Sequence, residues 1–60
     1  MIHQLHCFMN ENKTAKIYLA GKSEYTALLY DSDIEYNGIE YFNNEQDAEI
    51  FCENWVMNNE

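Results

Sequence analysis

The sixty-residue chain has no arginine and no proline, only two glycines and two cysteines, and three lysines, at positions 13, 16 and 22. Each shortage excludes something. Contacts to nucleic-acid phosphates need Lys and Arg, so direct binding to DNA or RNA is excluded, and docking on an anionic membrane surface fails by the same argument. No apolar run approaches the roughly 20 residues of a membrane-spanning helix. Cys7 and Cys52 are too few for a disulfide scaffold, and the first nine residues lack the basic region of a secretory signal. Reduced thiols and a cytoplasmic location are therefore expected.

What the chain does have is negative charge and aromatic rings. Eleven Asp and Glu give a net charge of −8, and five Tyr, three Phe and one Trp are too many for a disordered acidic tail. Sixty residues make a single small domain, 1–60, whose core barely offsets chain entropy, so oligomerisation or a partner is in prospect. Its field attracts basic surfaces, which belong mostly to proteins that handle nucleic acids. The plainer reading is that the acidity serves solubility.

Periodicity and end signals agree best in Asn44 to Asn58. Ala48, Phe51, Cys52, Trp55 and Val56 recur at i, i+3, i+4, i+7 and i+8, one face of an α-helix. Asn43 or Asn44 can cap it, with Glu45 and Asp47 in the first turn, where the helix dipole favours negative charge. Away from the apolar face, Glu45, Glu49 and Glu53 form an i, i+4, i+8 row with no Lys or Arg placed to pair with it.

Thr14 to Ala20 and Glu24 to Tyr30 alternate about the loop Gly21-Lys22-Ser23, and a three-residue loop sets Ala20 against Glu24 and Leu19 against Tyr25. Ala15, Ile17, Leu19, Tyr25, Ala27 and Leu29 then share one face. Thr14, Lys16, Tyr18, Thr26, Leu28 and Tyr30 take the other, which is only partly polar. Asn37-Gly38, the preferred pair for a type I′ turn, predicts a second hairpin of Asp33 to Tyr36 and Ile39 to Phe42, with Tyr36 against Ile39, Ile34 against Tyr41, and Glu35 opposite Glu40. Ile2 to Met9 suits a strand better than a helix, and Asn10 to Lys13 marks a reversal. The expected fold is α+β: an antiparallel sheet of three to five strands with one C-terminal amphipathic helix on one face. Ile17, Leu19, Ala27, Leu29, Ile34, Tyr36, Ile39 and Tyr41 should face that helix, with Trp55 mostly buried.

Catalytic chemistry finds little support. Gly21-Lys22-Ser23 lacks the earlier glycine of a phosphate-binding loop, and Asn12-Lys13-Thr14 is a glycosylation match without a secretory signal. His3, His6, Cys7 and Cys52 are metal-ligand types, yet on a regular strand His6 points away from His3 and Cys7, so no metal site and no cofactor are expected. A nucleophilic cysteine needs an electropositive setting, and Cys52 lies on the apolar stripe. Glu35 and Glu40 lack the enclosed cleft that tunes a pair of catalytic carboxylates. The chain reads as a non-enzyme.

The unpaired carboxylates are harder to set aside. Like charges at i, i+4 cost about 0.2–0.5 kcal/mol per pair, and the pattern occurs twice in the helix. Glu35 opposite Glu40 would break the cross-strand rule as well; Lys at 49 or 40 would have removed these penalties, and local rules are broken most often at functional sites. The row repeats every ~6 Å along the axis, close to the spacing of phosphates on a strand.

In length, charge and sheet-plus-helix layout the chain resembles the small acidic inhibitors that phages encode against host defence, of anti-CRISPR and anti-restriction type. The resemblance implies an inhibitor of a nucleic-acid-handling host protein, acting in the host cytoplasm, whose carboxylates occupy a basic nucleic-acid-binding surface. The expected contact set is Glu45, Asp47, Glu49, Glu53, Glu35, Glu40 and Asp33, with Tyr18 and Tyr30 on the less apolar sheet face. The alternative is a regulatory or structural accessory protein, antitoxin-like or homodimeric, held by Tyr18, Leu28 and Tyr30 or by a free strand edge. A metal-dependent switch through the N-terminal His and Cys is a third reading.

Overall fold

A computed structural model describes residues 2–58 and has four strands followed by a helix: β1 (Ile2–Asn10), β2 (Lys13–Ala20), β3 (Glu24–Asp31), β4 (Tyr36–Phe42) and α1 (Glu45–Met57). The strands form an antiparallel meander in the order β1-β2-β3-β4, and the helix packs across one face. This is the expected α+β class. The β2–β3 register is also as expected, with Ala20 opposite Glu24 and Leu19 opposite Tyr25.

Small residues set the distance between helix and sheet. Ala15 and Ile17 of β2, Ala27 and Leu29 of β3, and Ala48, Cys52 and Val56 of α1 are buried, with Leu5, Phe8, Tyr25, Phe42, Phe51 and Trp55 packed around them. Alanines at 15, 27 and 48 carry no bulk beyond Cβ, so the backbones approach closely and the larger rings move to the rim. Phe42 and Phe51 meet there at 5.3 Å between centroids. Trp55, expected to be mostly buried, is only partly so. It packs on Tyr36 at 6.3 Å, and the Lys13 ammonium lies 5.2 Å from its ring centroid.

Both helix ends are satisfied from identifiable groups. The Asn44 side chain accepts from the Asp47 backbone N–H at 2.8 Å, as an N-cap should. At the other end Lys13 donates to the Trp55 carbonyl at 3.3 Å and to the Asn58 carbonyl, and Asn10 donates to the Val56 carbonyl at 2.8 Å. These donors come from the β1–β2 hairpin and place positive charge at the negative pole of the helix, whose last turn has no basic residue.

The second hairpin differs from expectation. Asn37 and Gly38 lie inside β4, paired with Tyr30 and Leu29, and the chain reverses at Ser32 to Glu35 instead. Two causes can be named. A turn at Asn37-Gly38 leaves only four residues on each side, whereas the observed register pairs seven residues of β4 with β3. The actual turn has its own polar anchors: the Asp31 carboxylate accepts from the Asp33 N–H at 2.9 Å, and the Ser32 N–H donates to the Asn12 carbonyl at 2.9 Å. Glu35 occupies this turn at φ +52°.

The shift moves side chains between faces. Ile39 pairs with Leu28 and Tyr41 with Thr26, so both lie on the face away from the helix and are 54% and 73% exposed. Ile34 sits in the turn, 68% exposed. Three of the eight residues expected to face the helix therefore do not, while Tyr36 does so from the edge strand. Glu40, opposite Ala27, lies on the helix side and no longer faces Glu35.

β1 is a strand, as favoured, but not a regular one. Its register slips between Gln4 and His6: Gln4 faces Tyr18 and His6 faces Ile17, leaving Leu5 as an extra residue. Such a bulge re-aims the side chains after it. Leu5 packs against the core, and His6 and Phe8 follow on the helix side, opposite Ile17 and Ala15.

Candidate functional site

Two surfaces have chemistry beyond folding, and the sheet separates them. The first is its open face. Tyr18 from β2, Leu28 and Tyr30 from β3, and Ile39 and Tyr41 from β4 stand side by side, because cross-strand partners share a face: Tyr18 with Thr26, Lys16 with Leu28, Leu28 with Ile39, Thr26 with Tyr41. Leu28 and Tyr30 are 38% and 42% exposed. A concavity of about 740 Å³ opens among Thr14, Lys16, Tyr18, Leu28, Tyr30 and Ile39. Among the described strand residues, Glu24 is the only acid whose register falls on this face. A nearly uncharged aromatic face on a chain of net charge −8 marks segregation, not an even solubilising coat.

The second surface carries the carboxylates, and they do not form the continuous array expected. Glu45 and Glu49 turn toward the sheet, where the His6 Nε2 lies 2.6 Å from Glu45 Oε2 and 2.9 Å from Glu49 Oε2. The row lacks a Lys or Arg partner, as read from the sequence, but it has a histidine. Glu53, one turn further on, is exposed. Asp47 stays in the first turn of the helix, accepting from the side-chain amide of the N-cap Asn44 at 2.9 Å. Asp33 and Glu35 belong to the β3–β4 turn, and Glu40 is exposed on the edge strand. Of the expected contact set, the fold brings together Tyr18 and Tyr30 on the open face and Glu45 with Glu49 on the helix, and scatters the rest.

Sequence reasoning missed three residues of these surfaces. A turn at Asn37-Gly38 would place Ile39 and Tyr41 in the core. Asp31 and Ser32, both turn-favouring, were the available signal for the alternative reversal. On a regular strand His6 points away from His3 and Cys7, and nothing local betrays the bulge that turns it to the helix. Its imidazole and the carboxylates of Glu45 and Glu49 have ligand atoms all within 4.8 Å of one another, the one set among the described residues with donors suited to a metal.

The cysteines are free thiols on opposite sides of the sheet, Cys7 exposed and Cys52 buried. Burial pushes the Cys52 thiol from an ordinary 9.0 up to about 11, so it stays protonated and unreactive. No helix among the described residues is long and apolar enough to cross a membrane. No protein-family model matches the chain, and neither a curated protein nor a solved structure does.

Proposed function

We propose that this protein works by binding another protein, with the open sheet face as its docking surface and its acidity selecting a partner with a basic surround. The observation that carries this reading is the segregation itself. Tyr18, Leu28, Tyr30, Ile39 and Tyr41 are gathered on a face almost free of acids, while the carboxylates lie on the helix side and in the turns. Aromatic and branched side chains in a neutral patch supply the desolvated centre of an interface, and surrounding charge governs encounter rate and partner choice. Proteins that handle nucleic acids carry basic surfaces of the required kind, so inhibition of such a protein is the function this reading implies.

A second reading has an observation of its own. Among the described residues, no Lys or His lies within ion-pair distance of Asp33, Glu35, Glu40, Asp47 or Glu53. In that reading these acids occupy the nucleic-acid cleft of the target directly.

One set of variants separates the two. Leu28→Asp with Ile39→Asp breaks the open face without touching the buried core, and Glu35→Gln, Glu40→Gln and Glu53→Gln together discharge the acids without changing shape. Capture of partners by the wild type and both variants, at two salt concentrations, is compared with light scattering of the purified chains. Docking through the open face predicts a monomer alone, a partner lost with the Asp pair, and slower association with the Gln set. Capture that survives the Asp pair and fails with the Gln set favours the second reading. A pure wild-type dimer that the Asp pair dissociates assigns the face to self-association and overturns the proposal.

A further inference from the structure

We infer that His6, Glu45 and Glu49 form a binding site for one divalent first-row transition-metal cation of the zinc(II) or manganese(II) class, joining β1 to the first half of α1. This goes beyond the docking reading and does not depend on it, since the site lies on the other side of the sheet. The donor set is mixed, one imidazole nitrogen and two carboxylates from two elements, and it converges on one point. Glu45 and Glu49 follow each other by one helical turn, so their side chains lie on one side of α1. The β1 bulge swings His6 out of the regular alternation to meet them.

The separations suit a metal. Bonds of about 2.0–2.2 Å to N and O put neighbouring donors roughly 2.8–3.1 Å apart on one face of an octahedron and about 3.3–3.6 Å apart in a tetrahedral site. Here His6 Nε2 lies 2.6 and 2.9 Å from the two carboxylate oxygens, and the three ligand atoms all lie within 4.8 Å of one another, so side-chain rotations of about 1 Å or less on the two histidine edges make room for a cation. A proton serves the same group poorly: one ring nitrogen has at most one hydrogen, and two carboxylates compete for it. A dication would offset both negative charges and relieve the i, i+4 repulsion between them. The three side chains are 35%, 43% and 41% exposed, leaving water access to the remaining coordination positions. The imidazole favours zinc and its first-row neighbours over magnesium and calcium, which take oxygen donors, while the two carboxylates also suit manganese.

The test uses the full chain, stripped with chelator and titrated with zinc(II) or manganese(II) alone, followed by calorimetry and thermal unfolding, with magnesium as the comparison. The site predicts one zinc per chain and a rise in unfolding temperature that continues with excess metal, because the cation binds only the folded form. Glu45→Gln, Glu49→Gln and His6→Gln should each weaken binding by at least about tenfold, since even losing a residue that only orients a ligand costs about 10- to 100-fold. His3→Gln and Glu53→Gln should leave it intact. Because a ligand variant can lose stability, manganese(II) broadening of NMR signals in the wild type gives an independent reading, with His6, Glu45 and Glu49 affected first. Failure to bind one equivalent of zinc, equal affinity in the three ligand variants, or broadening centred on other carboxylates would overturn the site.

Discussion

The ring of Tyr36 lies along β4 over Gly38, so near that a Cβ built on the glycine would fall 2.5 Å from the Tyr36 Oη and 2.9 Å from the ring carbons Cε2 and Cζ. Gly38 is thus needed for close approach within a strand, not for the turn that its Asn-Gly context suggests. With no side chain at 38, Tyr36 spans the gap and reaches Trp55 on the helix.

A coupling between the two positions follows. Gly38→Ala should destabilise the wild type by up to about 1 kcal/mol, because displacing the ring loses an aromatic contact that outweighs the gain from restricting the unfolded backbone. In a Tyr36→Ala background the same change should be neutral or stabilising. A double-mutant cycle by urea unfolding measures the difference, and additive effects would mean that the ring does not cover Gly38.

The distribution of apolar residues makes a sharper contrast. Ile17 is fully buried, and Ile17→Ala should cost about 2–5 kcal/mol, enough to leave a domain of this size partly unfolded. Ile34→Ala and Tyr41→Ala, at 68% and 73% exposure, should each stay within about 0.5 kcal/mol. The Asn37-Gly38 hairpin would have placed Ile34 and Tyr41 in the core, so comparable losses at all three sites in thermal unfolding would restore that register.

The two thiols should behave differently. Native alkylation followed by intact-mass measurement should add one label, at exposed Cys7, and a second only after denaturation. Burial raises the Cys52 pKa, so its contribution to stability is complete below about pH 9 and declines as pH rises toward about 11, where the unfolded chain has released a proton that the folded one still holds. Cys52→Ala should be less stable overall but lose less between those pH values. A parallel decline in the two proteins would mean that other groups govern the alkaline limb.

What the sequence by itself determined was whatever depends on neighbours along the chain. The β2–β3 hairpin follows from period-two alternation across a three-residue loop, and α1 follows from its i, i+3, i+4 stripe and the Asn44 cap. Each is encoded within about twenty residues. The tertiary structure decided the rest. The position of the β3–β4 turn was settled by how many β4 residues could pair along β3, a sum over the whole strand that outweighed the local preference of Asn37-Gly38. That choice sent Ile39 and Tyr41 to the open face. The fate of the glutamate row rested on a contact between residues 39 apart, His6 and Glu45, made only because a bulge in β1 aims the imidazole at the helix. A single extra residue in one strand is invisible to periodicity, since its cause is the packing of Leu5 and His6 against an element the chain has not yet formed when β1 is read.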